Sequence, residues 1–334
     1  MTTDTGSADD RALPAAEVTR LAGAVLDAVG TAVVGMRDPL RLALAAVLAG
    51  GHVLFEDVPG LGKTLAARSL AAALGLRFAR LQCTPDLLPS DVTGAYVYDP
   101  ATHEFVFRPG PVFTGLLLAD EVNRTSPKTQ AALLEAMQEG QVTVEGTTTP
   151  LPRPFHVLAT ANPVEYEGTY PLPEAQLDRF LVRLAVGYPT TAHETDVLLR
   201  RVRRRQEAVD VAQVVDAATV RRMQAGVEAV DVDPDVAAYC VALAAATRAH
   251  SAVEVGASPR GSLGLLLVAR ALAVLGGRTV VLPEDVKTAA PAVLEHRLTL
   301  GVQTWSGTVG PADVVRDVLA AVPAPATVPA ASRR

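Results

Sequence analysis

The segment Glu56-Asp57-Val58-Pro59-Gly60-Leu61-Gly62-Lys63-Thr64 constrains the fold of this chain more than any other. It follows the apolar run His52–Phe55 and precedes the Ala-rich stretch Leu65–Leu74, which Gly75 can terminate, so the order is strand, loop, helix. A phosphate-binding loop needs glycines where the backbone curls around phosphate oxygens, free N–H groups at a helix N-terminus, and a lysine that reaches the outer phosphates. Gly60, Gly62 and Lys63 supply these, with Pro59, Leu61 and Leu65 completing the candidate cradle, and the Thr64 hydroxyl is placed to hold Mg²⁺. The G-x-x-x-x-G-K-[ST] pattern asks for glycine at 57, and Asp57 stands there instead. That Asp must tolerate the backbone conformation and brings a negative charge near phosphate, although Asp accepts left-handed geometry more readily than most residues.

A phosphate loop alone only binds. Hydrolysis also needs a metal-positioning carboxylate and a base for water, and Leu116-Leu117-Leu118-Ala119-Asp120-Glu121 offers both. Four apolar residues ending in adjacent acids put Asp120 at the carboxyl end of a buried strand beside the Mg²⁺, with Glu121 free to polarise the attacking water. Phe155-His156-Val157-Leu158-Ala159-Thr160-Ala161-Asn162-Pro163 is another core strand ending in an amide; Asn162 is placed to bond water or the γ-phosphate, or to make an Asx turn before Pro163. Arg179 precedes a fifth strand and Arg260 opens a later helix. A lone Arg is usually a solvated charge, but two at these positions can neutralise charge as the γ-phosphoryl leaves, one from the neighbouring domain and one from a neighbouring subunit.

Short β-rich runs at His52–Glu56, Arg77–Cys83, Gly115–Asp120, Phe155–Asn162 and Phe180–Tyr188 alternate with helical periodicity, which predicts βαβ units and a parallel sheet. Beyond Tyr188-Pro189 the strand signal fades, and Ala192–Gln206, Ala217–Val230, Pro234–His250 and Ser262–Leu275 carry helical spacing. The expected division is an α/β core over residues 15–188 and a smaller all-α lid over 189–321, with disordered tails at 1–14 and 322–334. Two hairpins interrupt the series, around the turns Asp99-Pro100 and Glu145-Gly146.

Composition narrows the function. Apolar residues make up 49% of the 334, which excludes a largely disordered chain, yet no unbroken apolar run reaches the roughly 20 residues of a membrane span. A net charge of −6 and an aromatic content of 4% give little to attract or stack nucleic acid, making it an unlikely partner. The dense basic run Arg200–Arg205 reads as a solvated face or subunit contact rather than a nucleic-acid footprint. The acidic N-terminus lacks a signal-peptide pattern, so the expected location is cytoplasmic, and the isolated Cys83 and Cys240 read as buried thiols.

Through EDVPGLGKT, TPDLLPSDVTG, LLLADEVNR, ATANPVEYEGTYPLPEAQLDRF and SPRGSLGLL, in order over about residues 17–310, the chain resembles the MoxR group of AAA+ ATPases. The resemblance implies a P-loop NTPase core with a five-stranded parallel sheet, ATP and Mg²⁺ as ligands, and a homo-oligomeric ring, expected to be a hexamer. It assigns Walker A to Gly60, Gly62, Lys63 and Thr64, Walker B to Asp120 and Glu121, and sensor 1 to Asn162. Arg179 matches the arginine finger acting on the next subunit and Arg260 matches sensor 2. The adenine pocket of such proteins includes a Val-Gly step, here Val34-Gly35; the residue that follows is commonly Gln, and Met36 stands there. Gln82 resembles the polar switch residue that restrains Glu121, and the hairpins resemble inserts facing the pore or a partner. By family, the client or partner expected is a protein with a von Willebrand factor A (VWA) domain. Two other outputs use the same scaffold: a nucleotide-gated assembly with little turnover, and a nucleic-acid motor.

Overall fold

The computed structural model describes residues 11–163, 169–206, 208–301 and 309–326. The proposed tails therefore fall largely outside the described residues. Leu13, counted with the first tail, is buried, and its N–H donates to the carbonyl of Arg222 at 3.1 Å.

Helices α1 (Ala15–Gly30) and α2 (Arg37–Leu48) precede β1 (Val53–Glu56), the loop and α3 (Lys63–Ala73). Strand β2 (Phe78–Gln82) leads through the short α4 (Pro89–Thr93) into the hairpin β3 (Gly94–Asp99) and β4 (Glu104–Pro109). Next come β5 (Leu116–Asp120), α5 (Pro127–Glu139), the second hairpin β6 (Gln141–Val144) and β7 (Thr147–Pro150), then β8 (His156–Ala161), α6 (Glu174–Leu177) and β9 (Val182–Leu184). The remainder comprises α7 (Thr191–Arg204), α8 (Ala217–Glu228), α9 (Pro234–Ala249), β10 (Val253–Val255), α10 (Pro259–Leu275), α11 (Pro283–Leu294), β11 (Thr299–Leu300) and α12 (Pro311–Ala321). The lid is helical with one addition: β10 and β11 pair as a short antiparallel ribbon.

The five expected strands form one parallel sheet in the order β2-β5-β8-β1-β9. Every residue of β5 and β8 is buried, as central parallel strands covered on both faces must be, which is why both read as continuous apolar runs. Alternation divides their side chains between two cores. Val53, Phe55, Leu116, Leu118 and Leu158 join a cluster with α1, α2, α3 and the lid helices; Leu54, Leu81, Leu117, Ala119 and Val157 join another under α5 and the hairpins. The fifth strand is shorter than the expected Phe180–Tyr188, because the N–H groups of Val186 and Gly187 bond to the Asp57 carboxylate rather than to a neighbouring strand. No helix among the described residues is long and apolar enough to cross a membrane. Cys83 and Cys240 are buried free thiols whose pKa values burial pushes up to about 12 and about 11.

Two fully buried histidines fasten the sheet at the end away from the phosphate loop. The Val157 N–H donates to His52 Nδ1 at 3.0 Å, so His52 Nε2 is the protonated nitrogen and donates to the Met137 carbonyl at 3.1 Å. His156 Nδ1 donates to the Gly51 carbonyl at 3.0 Å, and its Nε2 accepts from the Gln224 amide, also at 3.0 Å. A second proton on either ring would confront an N–H donor. Burial lowers both pKa values to about 4, and that of His296 well below its ordinary value. The stability contributed by the neutral rings is therefore complete above pH 6.5 and is lost as pH falls towards 4, on the order of 3 kcal/mol each for His52 and His156. Urea midpoints measured from pH 7.5 to 4.5 should fall steeply below 6.5; a midpoint flat down to pH 5 would contradict the assignment.

Candidate active site

The loop after β1 turns through Gly60 (φ +84°) and Gly62 (φ +81°), values that L side chains rarely adopt. A Cβ built at either position meets nothing within 4 Å, so both glycines border open space of the kind a phosphate would fill. Gly62 is the N-cap of α3, and its left-handed backbone leaves the first N–H groups of the helix without intrahelical partners. Lys63 is 9% exposed, with Nζ 2.7 Å from the Asp57 carbonyl and 3.2 Å from that of Val58. Burial draws its pKa below the ordinary value against the opposing pull of Asp57, Asp120 and Glu121.

Asp57 does not take a positive φ. Its carboxylate instead serves as a staple: Oδ1 accepts from the Val58 N–H at 2.8 Å, while Oδ2 accepts from Val186 at 2.7 Å and Gly187 at 2.6 Å. The residue that departs from the phosphate-loop pattern thus ties the loop to the segment leading out of β9. Arg183 adds a second tie, pairing with Glu56 at 2.7 Å and with Glu295 at 3.6 Å.

A cavity of about 200 Å³ is lined by Pro59, Gly60, Leu61, Gly62, Lys63, Thr64, Asp120, Glu121, Thr160, Ala161 and Asn162. The sheet order explains this convergence. Strand β8 lies between β1 and β5, so the ends of all three strands meet over the loop. Thr160, to which the sequence assigned no role, donates to Asp120 Oδ1 at 2.7 Å and accepts from the Glu121 N–H at 2.8 Å. The Thr64 hydroxyl lies 3.4 Å from Asp120 Oδ2. A hydroxyl beside a carboxylate oxygen is a donor set suited to Mg²⁺, which prefers hard oxygen ligands and keeps several waters. Glu121 has φ +58°, and its Oε2 accepts from Gln82 Nε2 at 3.1 Å and from Arg124 at 3.2 Å. Asn162 is buried, its backbone clamped by Asn123, whose Nδ2 donates to the Asn162 carbonyl at 3.1 Å.

A second cavity of about 340 Å³ adjoins the loop, lined by Val34, Gly35, Met36, Gly60, Leu61, Gly62 and Leu65 with Tyr188, Glu194 and Leu198. Its apolar walls suit a nucleobase. Gly35 has φ +76°, and a Cβ there would lie 2.7 Å from His193 Nδ1, so α7 closes directly over the Val34-Gly35 step. Met36 is buried at the N-cap of α2. Arg200 of α7 donates to the carbonyls of Gly30 and Thr31, which accounts for one member of the basic run.

Neither Arg179 nor Arg260 lines the phosphate cavity. Arg260 lies 4.0 Å from Asp178, whose carboxylate also accepts from Arg297 at 2.7 Å and Ser258 at 3.1 Å. Arg179 lines a separate cleft with Glu135, Glu139 and Gln176, and its buried Nε has no hydrogen-bond partner among the described residues.

Comparison with known proteins supplies the family. A family model described as "ATPase family associated with various cellular activities (AAA)" matches residues 52–182, and an "AAA lid domain" model matches residues 245–318. The protein YeaC of Bacillus subtilis is 48% identical over 91% of this chain and 95% of its own. Chaperone MoxR1 of Mycobacterium tuberculosis is 41% identical over 93% of this chain and 84% of its own. A crystal structure of a putative ATPase from Cytophaga hutchinsonii, 39% identical, superposes with a TM-score of 0.87 over 93% of this chain and 97% of its own. The chain belongs to the MoxR family of AAA+ ATPases, and is an ATP hydrolase of that class.

Proposed function

We propose that this ATPase hydrolyses Mg²⁺-ATP at the interfaces of a homo-oligomeric ring, six subunits being the expected number, and uses the cycle to remodel or mature a protein client. The core to about Tyr188 supplies the phosphate loop and the region from Pro189 supplies the lid. The observation that carries the reading is Arg179: a cation away from its own phosphate cavity, whose buried Nε has no partner among the described residues, suits an anion brought by another subunit.

Within one site, Gly60, Gly62 and Lys63 bind the phosphates, Val34-Gly35 and Leu65 border the base, and Thr64 with Asp120 would hold Mg²⁺, which supplies charge neutralisation at the phosphoryl oxygens. Glu121 accepts a proton from the attacking water, Asn162 orients that water or the γ-phosphate, and Arg260 enters from the lid. A cytoplasmic setting and a partner with a VWA domain follow from the family resemblance, and the name of the mycobacterial relative supports a chaperone-like role. The first hairpin exposes Val97, Tyr98, Phe105 and Val106, an apolar tip suited to touching a client.

Hydrogen bonding of Glu121 by Gln82 and Arg124 also favours a second reading, an assembly gated by nucleotide with little unstimulated turnover. Mixing Arg179→Ala subunits with Glu121→Gln subunits separates the two. Each variant alone should be nearly inactive. The mixture should recover turnover, because the site of an Arg179→Ala subunit facing the intact arginine of a Glu121→Gln subunit is complete. A mixture no more active than its components, with turnover per subunit independent of protein concentration, would count against completion in trans.

A further inference from the structure

The Asp120 oxygen that lies beside Thr64 is already covered by a cation of the chain itself. Strand alternation puts Phe78, Arg80 and Gln82 of β2 on one face, and the β2–β5 register sets Gln82 opposite Asp120. From there the Arg80 guanidinium reaches Asp120 Oδ2 with Nε at 3.1 Å and Nη2 at 2.7 Å. Asp120 Oδ1 is taken by Thr160, so Oδ2, the oxygen beside Thr64, is the one left for a metal. The same Arg80 Nη2 also donates to Gln82 Oε1 at 2.7 Å.

This last bond fixes which way the Gln82 amide points. An amide carries its acceptor on one side and its donor on the other, so an oxygen held by Arg80 turns the NH₂ group away, and Gln82 Nε2 sits 3.1 Å from Glu121 Oε2. A continuous chain of contacts therefore runs from Thr64 through Asp120, Arg80 and Gln82 to Glu121.

We propose that Arg80 is a positioning residue that couples metal loading to the release of Glu121. It stands in for the cation on Asp120 and, through Gln82, holds Glu121 back. With Mg²⁺ and nucleotide held at Thr64 and Asp120, like-charge repulsion would displace Arg80 from Oδ2, Gln82 would lose the anchor that orients it, and Glu121, keeping its contact with Arg124, would lose one of its restraints. This rests on the nucleotide site proposed above.

The test titrates free Mg²⁺ into the full-length protein with a fluorescent N-methylanthraniloyl-ADP probe, and measures ATP turnover separately. Arg80→Ala should lower the free Mg²⁺ at half-maximal probe binding about tenfold, the scale of one neighbouring charge at a carboxylate. Arg80→Lys, which keeps a cation at Asp120 but lacks the planar fork that also holds Gln82, should restore a midpoint close to the parent's. Gln82→Ala should raise turnover in the parent and add nothing in the Arg80→Ala background, because both act on one chain of contacts. Should Arg80→Ala fail to fold by circular dichroism, the neutral Arg80→Gln carries the same expectations. An unchanged or raised Mg²⁺ midpoint in the neutral variants, or effects of Arg80 and Gln82 that multiply, would overturn the coupling. A parent that binds no probe at any Mg²⁺ concentration would instead overturn the nucleotide site itself.

Discussion

Replacement of Lys63 by alanine is expected to abolish nucleotide binding at working concentrations. In the free protein the ammonium rests on the carbonyls of Asp57 and Val58, neutral acceptors at the base of the loop. Nucleotide would replace those carbonyls with phosphate oxygens. Losing two charge-assisted bonds of about 1.5–3 kcal/mol each weakens affinity by roughly 10²–10⁴-fold. Isothermal titration with ATP and Mg²⁺ measures this directly. A dissociation constant within a fewfold of the parent's would show that Lys63 does not reach the phosphates.

The next largest effect is expected from Glu121→Gln, which should bind ATP with parental affinity yet turn it over about 10²–10⁴-fold more slowly, the usual cost of removing a general base. The substitution preserves the shape of the side chain and its reach towards Gln82 and Arg124, so a loss of turnover with retained binding isolates the proton-accepting role. Single-turnover hydrolysis is the appropriate measurement, because a slow product-release step would mask the effect in the steady state. Turnover at the parental rate would remove Glu121 from the assignment.

The parts of this architecture that were legible in the sequence depend on residues adjacent in the chain. Strands β5 and β8 announce themselves because a strand buried on both faces must be apolar throughout, and the phosphate loop because its glycines and lysine are consecutive. Gln82, near the end of β2, was marked through the family resemblance. The contacts that remained hidden are made by strand order. Nothing local states that β8 lies between β1 and β5, so the pairing of Thr160 with Asp120 could not be read, nor could the reach of Arg80 across the β2–β5 register. Asp57 is the sharpest instance. Against the motif it looks like a defect, a charge where glycine belongs, and only the fold shows its carboxylate filled by two N–H groups from residues 129 and 130 positions away. Arg179 and Arg260 were found by position, but the arrangement of Asp178, Ser258 and Arg297 around Arg260 needed the packed lid.

The cluster that joins α1 and α2 to the lid helices has a mechanical consequence. Val18, Val25, Leu40 and Leu44 share one apolar core with Leu265, Val268 and Leu272 of α10, while the Val34-Gly35 step lies in the chain between α1 and α2. That same core holds Val53 and Phe55 of β1 and Ala66 and Leu70 of α3, so the strand and helix that flank the phosphate loop are packed into one apolar body with the lid. Dense interior packing passes strain on rather than absorbing it, so a ligand that spread the loop would be felt at the Val34-Gly35 step and in α10 alike.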